Sequence, residues 1–296
     1  MAASFAFAIL VMSGARLCAE SPIERGAYLV NAVAACRSCH TPRDPSAAPL
    51  SGGTRYGSGP AAEFAANITP DVETGIGNWS KQQIIDAVRL GVRPDGSHIG
   101  PPMPQGAYRF MSDDDAAAVA DYLKSVPPVR HAVPRATPDA ASPETVRPAL
   151  TAKQNSPADA PVSRGSYIVT AVAHCTECHD RSTSSPSQDT APSNRVFRGP
   201  WGVVTAPSIA PEALTAHTDA ELTTLITTGK RADGSALIGP MPVGAYAGLR
   251  PDDLAAIVAY LRDQSPQSAP MSTPASGRTA RPAPIDTLRP SADQAR

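Results

Sequence analysis

Apolar residues recur at helical spacing in two stretches of the chain, and the two stretches run through the same order of elements. From Ser21 the chain reads Pro22-Ile23-Glu24-Arg25-Gly26-Ala27-Tyr28-Leu29-Val30, and from Ser163 it reads Arg164-Gly165-Ser166-Tyr167-Ile168-Val169. Ser21 is a candidate N-cap and Pro22 suits a first turn, so a helix closed by the Cys36–His40 or Cys175–His179 run is predicted to open each stretch. A second pair of helices is signalled by Ser80-Lys81-Gln82-Gln83 and Thr218-Asp219-Ala220-Glu221, both of the hydroxyl-x-x-Gln/Glu capping-box form. Ile84, Ile85 and Val88 then mark one apolar face, and Leu222, Leu225 and Ile226 the other. Gly91 and Gly229 supply left-handed stops, after which Asp95-Gly96 and Asp233-Gly234 turn the chain. A last helix is predicted from Ser112 to Leu123, with Val119, Tyr122 and Leu123 inward, and from Pro251 to Leu261, with Leu254, Ile257, Val258 and Leu261 inward.

The expected fold class is all-α, with the first and last helix of each stretch packed on each other. A repeat of this long period means a duplicated domain rather than a solenoid. The expected organisation is residues 1–19 as an export signal, 20–127 and 162–264 as two tandem domains, 128–161 as a Pro-rich linker, and 265–296 as a disordered tail. The polar loops from Thr41 to Gly59 and from Asp180 to Pro200 are expected to be surface excursions. The N-terminal apolar run from Phe5 to Met12 is too short to span a bilayer, and Leu17-Cys18-Ala19 offers a small residue for signal cleavage after Ala19. On that reading Cys18, the odd cysteine, leaves with the signal, and the rest of the chain is periplasmic. No later stretch has the length of a membrane helix, which leaves peripheral membrane association open.

Composition sharpens the picture at one point. Lys plus Arg number 26 against 27 Asp plus Glu, and no basic run is interleaved with aromatics, which argues against nucleic acid as a partner. Aromatic residues are only 5% of the chain, so a small domain here gains from a large flat apolar cofactor in its core.

The chemistry sits in Cys36-Arg37-Ser38-Cys39-His40 and Cys175-Thr176-Glu177-Cys178-His179, which hold every cysteine but Cys18. Cys-x-x-Cys-His is the attachment signature of c-type haem: the thiols of Cys36 and Cys39, or of Cys175 and Cys178, take the two vinyl groups, and His40 or His179 meets the iron. A lone Cys-x-x-Cys also serves as a redox dithiol or half a zinc site, but neither copy here is followed by the second pair a zinc site needs. Two covalently bound haem c groups are therefore expected. Their propionates would engage some of the arginines. Pro102-Met103-Pro104 and Pro240-Met241-Pro242 stand at matched positions in matched proline frames, with Tyr108 and Tyr246 each five residues on. Met103 and Met241 are the expected sixth ligands, because a thioether is a soft neutral donor and the flanking prolines restrict the backbone. Met111 faces Leu249 in the alignment and has no such frame. Trp79 and its counterpart His217 are candidate donors to a propionate, with ordinary packing as the other reading, and His98, His131 and His174 are read as structural.

With these residues in view, the chain resembles the multihaem cytochrome c subunits of periplasmic alcohol, gluconate and nicotinate dehydrogenases. The resemblance is carried by Asn67-Ile68-Thr69-Pro70-Asp71, Gly75-Ile76-Gly77-Asn78-Trp79, Asp95-Gly96-Ser97-His98 and Pro102-Met103-Pro104 downstream of the first haem motif. It implies a dihaem c-type cytochrome whose irons are ligated by His40 with Met103 and by His179 with Met241. The implied activity is transfer of single electrons from a dehydrogenase to a cytochrome or oxidase acceptor. This chain departs from the commonest member in having two haem units where three are usual. A catalytic dihaem enzyme of the thiosulfate dehydrogenase or peroxidase type is the rival expectation, and it needs an iron that opens and a nearby acid, base or nucleophile. A zinc or dithiol structural protein is the third.

Overall fold

The structure, a computed structural model, describes residues 20–57, 62–135, 160–179, 195–199 and 201–263. The expected signal, residues 136–159 of the linker region, the tail and Cys18 lie outside the described residues, as does most of the loop after the second motif.

Two similar sets of elements follow one another. The first half holds α1 (Pro22–Tyr28), a π turn (Leu29–Val33), α2 (Cys36–His40), β1 (Arg55–Tyr56), β2 (Glu63–Phe64), α3 (Lys81–Arg89), α4 (Gln105–Tyr108) and α5 (Asp113–Ser125). The second holds α6 (Pro161–Tyr167), a π turn (Ile168–Val172), a 3-10 turn (Cys175–Glu177), β3 (Val196–Gly199), β4 (Gly202–Thr205), a 3-10 turn (Pro211–Leu214), α7 (Asp219–Thr228), α8 (Val243–Tyr246) and α9 (Pro251–Arg262). The architecture is mainly helical. The two antiparallel ribbons, with Arg55 opposite Phe64 and Val196 opposite Thr205, are short additions to it.

Local chemistry accounts for the helix starts. Ser21 accepts from the Glu24 amide while the Glu24 carboxylate accepts from Ser21, and the same reciprocal boxes close on Ser80 with Gln83 and Thr218 with Glu221. In the second half the opening helix begins on Pro161 after an Ala160 cap, two residues ahead of Ser163. Gly91 and Gly229 take positive φ of 69° and 66°, and stop α3 and α7 where the sequence places the stops.

Two expectations are corrected. The haem motifs do not close the opening helices. The backbone widens into a π turn, passes through a left-handed residue at Ala35 (φ 53°) or His174 (φ 46°), and only then winds into the motif. A non-glycine residue in that region costs roughly 1 kcal/mol, and no side-chain pattern announces it. The first polar loop is not a plain surface excursion either. Leu50, Ser51 and Thr54 are buried, because the Leu50 amide donates to Thr41 Oγ1 and the Gly52 amide to the His40 carbonyl, which fold the loop back onto the motif.

The core forms where α1 crosses α5 and α6 crosses α9. Leu29, Val30, Val33, Val119 and Leu123 fill it in the first half, and Ile168, Val169, Val172, Ile257 and Tyr260 in the second. Met111 is 1% exposed and is core, as is its counterpart Leu249. The two sets share one buried cluster: α4 packs on the second half's π turn and α8 on the first half's.

Each crossing pivots on a glycine. A Cβ on Gly26 would lie 2.0 Å from the Ala118 carbonyl oxygen, and one on Gly165 would lie 1.9 Å from that of Ala256. Helix backbone is the obstacle, so the contact cannot be relieved by turning a side chain. Gly26→Ala and Gly165→Ala are each expected to destabilise the protein by about 3 kcal/mol, the upper range for overpacking. Urea unfolding followed by far-UV circular dichroism checks this, with Ala27→Gly on the same helix as the control for helix propensity.

Candidate functional site

Among the described residues, both motifs and both methionines line one connected cavity of about 2370 Å³. Pockets for drug-sized ligands run to roughly 300–1,000 Å³, so this one has room for more than one large group. Its walls are largely apolar, with Ile76, Ile84, Val88, Leu225 and Val204 among them, and the ribbons β1–β2 and β3–β4 form part of its rim.

The histidines are set in the same way in both halves. His40 Nδ1 lies 2.8 Å from the Ala66 carbonyl oxygen, and His179 Nδ1 lies 2.8 Å from that of Pro207. A carbonyl only accepts, so each Nδ1 carries the proton and each Nε2 keeps a free lone pair, which is the arrangement of a metal-ligating imidazole. Burial pushes the His40 imidazole below its ordinary value, with the Ala66 carbonyl acting against it, and so favours the neutral ring. Ala66 and Pro207 stand directly before Asn67-Ile68-Thr69-Pro70 and Ser208-Ile209-Ala210-Pro211, the segments at which the two halves realign in sequence. The first of these is braced from within: Asn67 Oδ1 accepts from the Thr69 amide and hydroxyl, and Asn67 Nδ2 donates to the Val129 carbonyl at 2.7 Å.

No disulfide joins the four motif cysteines. Burial pushes the Cys36 and Cys175 thiols up to about 12 and raises that of Cys178.

The methionines are half-buried and pack on the core. After each comes a four-residue helix: the Gln105 amide donates to the Met103 carbonyl at 3.0 Å and the Val243 amide to that of Met241 at 2.8 Å. Tyr108 Oη then donates to the Ala34 carbonyl at 3.0 Å, and Tyr246 Oη to the Ala173 carbonyl at 3.1 Å. Ala34 and Ala173 sit two residues before Cys36 and Cys175, so each tyrosine ties its methionine segment to the turn that launches the motif. The residues fit a haem: two thiols, an imidazole with its outer nitrogen spoken for, a thioether, and an apolar chamber common to them.

Arg93 and Arg231 were not singled out by the sequence reading, though their repetition ahead of Asp95-Gly96-Ser97 and Asp233-Gly234-Ser235 is visible there. Both line the cavity, and each clamps its turn: Arg93 Nη1 donates to Ser97 Oγ and the His98 carbonyl, and Arg231 Nη1 to Ser235 Oγ and the Ala236 carbonyl. Trp79, His217 and His98 also line the cavity. His131 is structural, with Nδ1 2.9 Å from the Ser51 carbonyl oxygen. His174 lies at the junction of the halves, its ring centroid 5.6 Å from that of Tyr108 at an interplanar angle of 81°, and burial brings its imidazole down to about 4.

The chain is similar in sequence to known cytochromes over most of its length. Residues 21–123 match the family described as cytochrome c oxidase, cbb3-type, subunit III. The chain is 32% identical over 267 residues to the cytochrome c subunit of the quinone alcohol dehydrogenase of Gluconobacter oxydans, a match covering 82% of this chain and 55% of that protein. It is 32% identical over 266 residues to the fructose dehydrogenase cytochrome subunit of Gluconobacter japonicus, covering 81% and 52%. A diheme cytochrome c-type protein of Cereibacter sphaeroides is 28% identical over 244 residues, covering 77% and 81%. The chain spans about half the length of the two dehydrogenase subunits. It is related to the c-type cytochromes and is similar to the cytochrome c subunits of dehydrogenases, as its motifs imply.

Tyr108→Phe and Tyr246→Phe each remove the buried donor that meets the Ala34 or Ala173 carbonyl. Each is expected to cost about 1–2 kcal/mol in chemical unfolding, with the far-UV spectrum of the native protein unchanged.

Proposed function

On the premise of that relationship to c-type cytochromes, we propose that the chain is a periplasmic dihaem cytochrome c that passes single electrons from a dehydrogenase to a downstream cytochrome or oxidase. Two tandem cytochrome c domains, joined by the Pro-rich segment, would each hold one haem c. Cys36 and Cys39 bind one porphyrin through thioether bonds, and Cys175 and Cys178 bind the other. His40 with Met103, and His179 with Met241, are the axial pairs.

When bound, the haem supplies reversible one-electron chemistry at its iron. The chain's own residues prepare the site for it. The Ala66 and Pro207 carbonyls hold the imidazoles in the tautomer that presents Nε2. Tyr108 and Tyr246 anchor the segments that bring in the thioethers, and Ile84 and Val88 keep the wall of the first chamber apolar. Arg93 and Arg231 stand where a carboxylate at the cavity rim would meet a guanidinium already fixed by its turn. The observation that carries the proposal is the repetition of one complete donor set, thiol, thiol, carbonyl-bound imidazole and tyrosine-anchored methionine, in both halves of one cavity. No helix among the described residues is long and apolar enough to cross a membrane.

Mass spectrometry of the exported protein from cells competent in haem attachment is expected to show the added mass of two haems. The Cys175→Ala, Cys178→Ala variant is expected to show one, and bare polypeptide in the unsubstituted protein would overturn the proposal. Met103→Ala should lose half of the methionine-to-iron absorption with haem content unchanged. Turnover of thiosulfate or peroxide by the isolated chain would select the catalytic rival.

A further inference from the structure

The two halves are fastened to each other by a crossed pair of tyrosines. Tyr28, at the end of α1, donates its hydroxyl to Asp253 Oδ2 at 2.6 Å and accepts from the Arg250 amide at 3.1 Å, both at the start of the other half's last helix. Tyr167, at the end of α6, donates to Asp115 Oδ2 at 2.7 Å and accepts from the Ser112 amide at 3.0 Å, at the start of α5. The acceptors already have partners at home. Arg25 forks onto Asp115 at 2.8 and 2.9 Å, and Arg164 Nε bonds Asp253. Asp115 and Asp253 are 5% and 1% exposed. A carboxylate held that far from water needs its lone pairs met by donors, and each half supplies one of the donors the other half's carboxylate uses. Burial, with the aspartates alongside, raises both phenols above their ordinary value, so they remain donors throughout the neutral range.

His174 directly precedes Cys175, and its ring meets the ring of Tyr108, whose hydroxyl is bonded to Ala34 just ahead of Cys36. The launching turns of both motifs therefore abut across the seam.

We propose that Tyr28 and Tyr167 are positioning residues: by completing each other's buried Arg–Asp pairs they lock the two haem sites at one separation, set by the packed seam and not by the segment that joins the halves. The mechanical half of this holds whether or not the sites carry haem. The half that concerns electron exchange rests on the proposed function.

The test is a full-length holoprotein carrying a protease recognition sequence between residues 136 and 159, cut after purification. The cut protein is expected to elute from a sizing column as one species with both haems, and separate elution of the two fragments would overturn the lock. Tyr28→Phe with Tyr167→Phe keeps the rings and removes both hydroxyls. It is expected to raise the dissociation constant of the cut halves on the order of a hundredfold, from two lost bonds to charged acceptors. Fragments of the double variant that stay together as tightly as those of the parent would remove the tyrosines from that role. In the uncut holoprotein, a reductive titration of the double variant is expected to change the spacing between the two one-electron potentials while methionine-to-iron absorption is kept. Superimposable titrations would overturn the claim that these residues position the sites. Failure of the proposed function would appear separately, as cut halves that co-elute without haem.

Discussion

A buried phenol bonded to a backbone carbonyl, made once in each half, is the constraint on which the site depends. The segments that carry Met103 and Met241 have little structure of their own: the helices after them are four residues long, far below the length at which a helix holds itself together. Their position has to come from tertiary contacts. Tyr108 and Tyr246 provide it by burying a ring in the core and spending the hydroxyl on the Ala34 or Ala173 carbonyl. A buried tyrosine without such a partner would carry an unpaired donor, so ring burial and hydroxyl placement enforce each other. Thiols, imidazole and thioether are thereby referred to one turn of backbone.

Much of this was legible in the sequence because it is periodic or repeated. The capping boxes, the glycine stops and the inward faces of α5 and α9 could all be read along the chain and recur in the structure. Other features were hidden for physical reasons. A left-handed Ala35 or His174 has no side-chain signature, so the motif looked like the end of a helix rather than a separate turn. The burial of Leu50 depends on amides that reach Thr41 and His40, and loop composition says nothing of where amides point. The carbonyls behind His40 and His179 come from Ala66 and Pro207, and a backbone acceptor can sit on any residue. What sequence did reveal was that the halves realign just after those two residues, and the structure supplies the reason.

The halves have kept their backbone and diverged in what surrounds it. Trp79 corresponds to His217, Met111 to Leu249, and Ala35 to His174. The last of these breaks the near-symmetry at its centre. On one side of the seam Tyr108 meets an imidazole, whereas the turn ahead of Cys36 offers only a methyl group at the matching position. Polarity and packing next to an iron tune its potential, so under the proposed ligation the two sites would differ in potential.

Why the halves stay together follows from their size. A unit of about 100 residues buries a modest fraction of its surface, and here part of that surface is a chamber wall which adds no protein packing of its own. Each half compensates with the other's backbone: α4 covers Ile168 to Val172, α8 covers Leu29 to Val33, and Gly248 closes on Ala32 with no room to spare. The π turns are thus the shared floor of the molecule, wedged between their own last helix and the neighbour's methionine helix. A change that loosens the seam would therefore disturb the turn that launches each motif, and through Tyr108 or Tyr246 the methionine as well. The geometry of each site is for that reason partly a property of the other half.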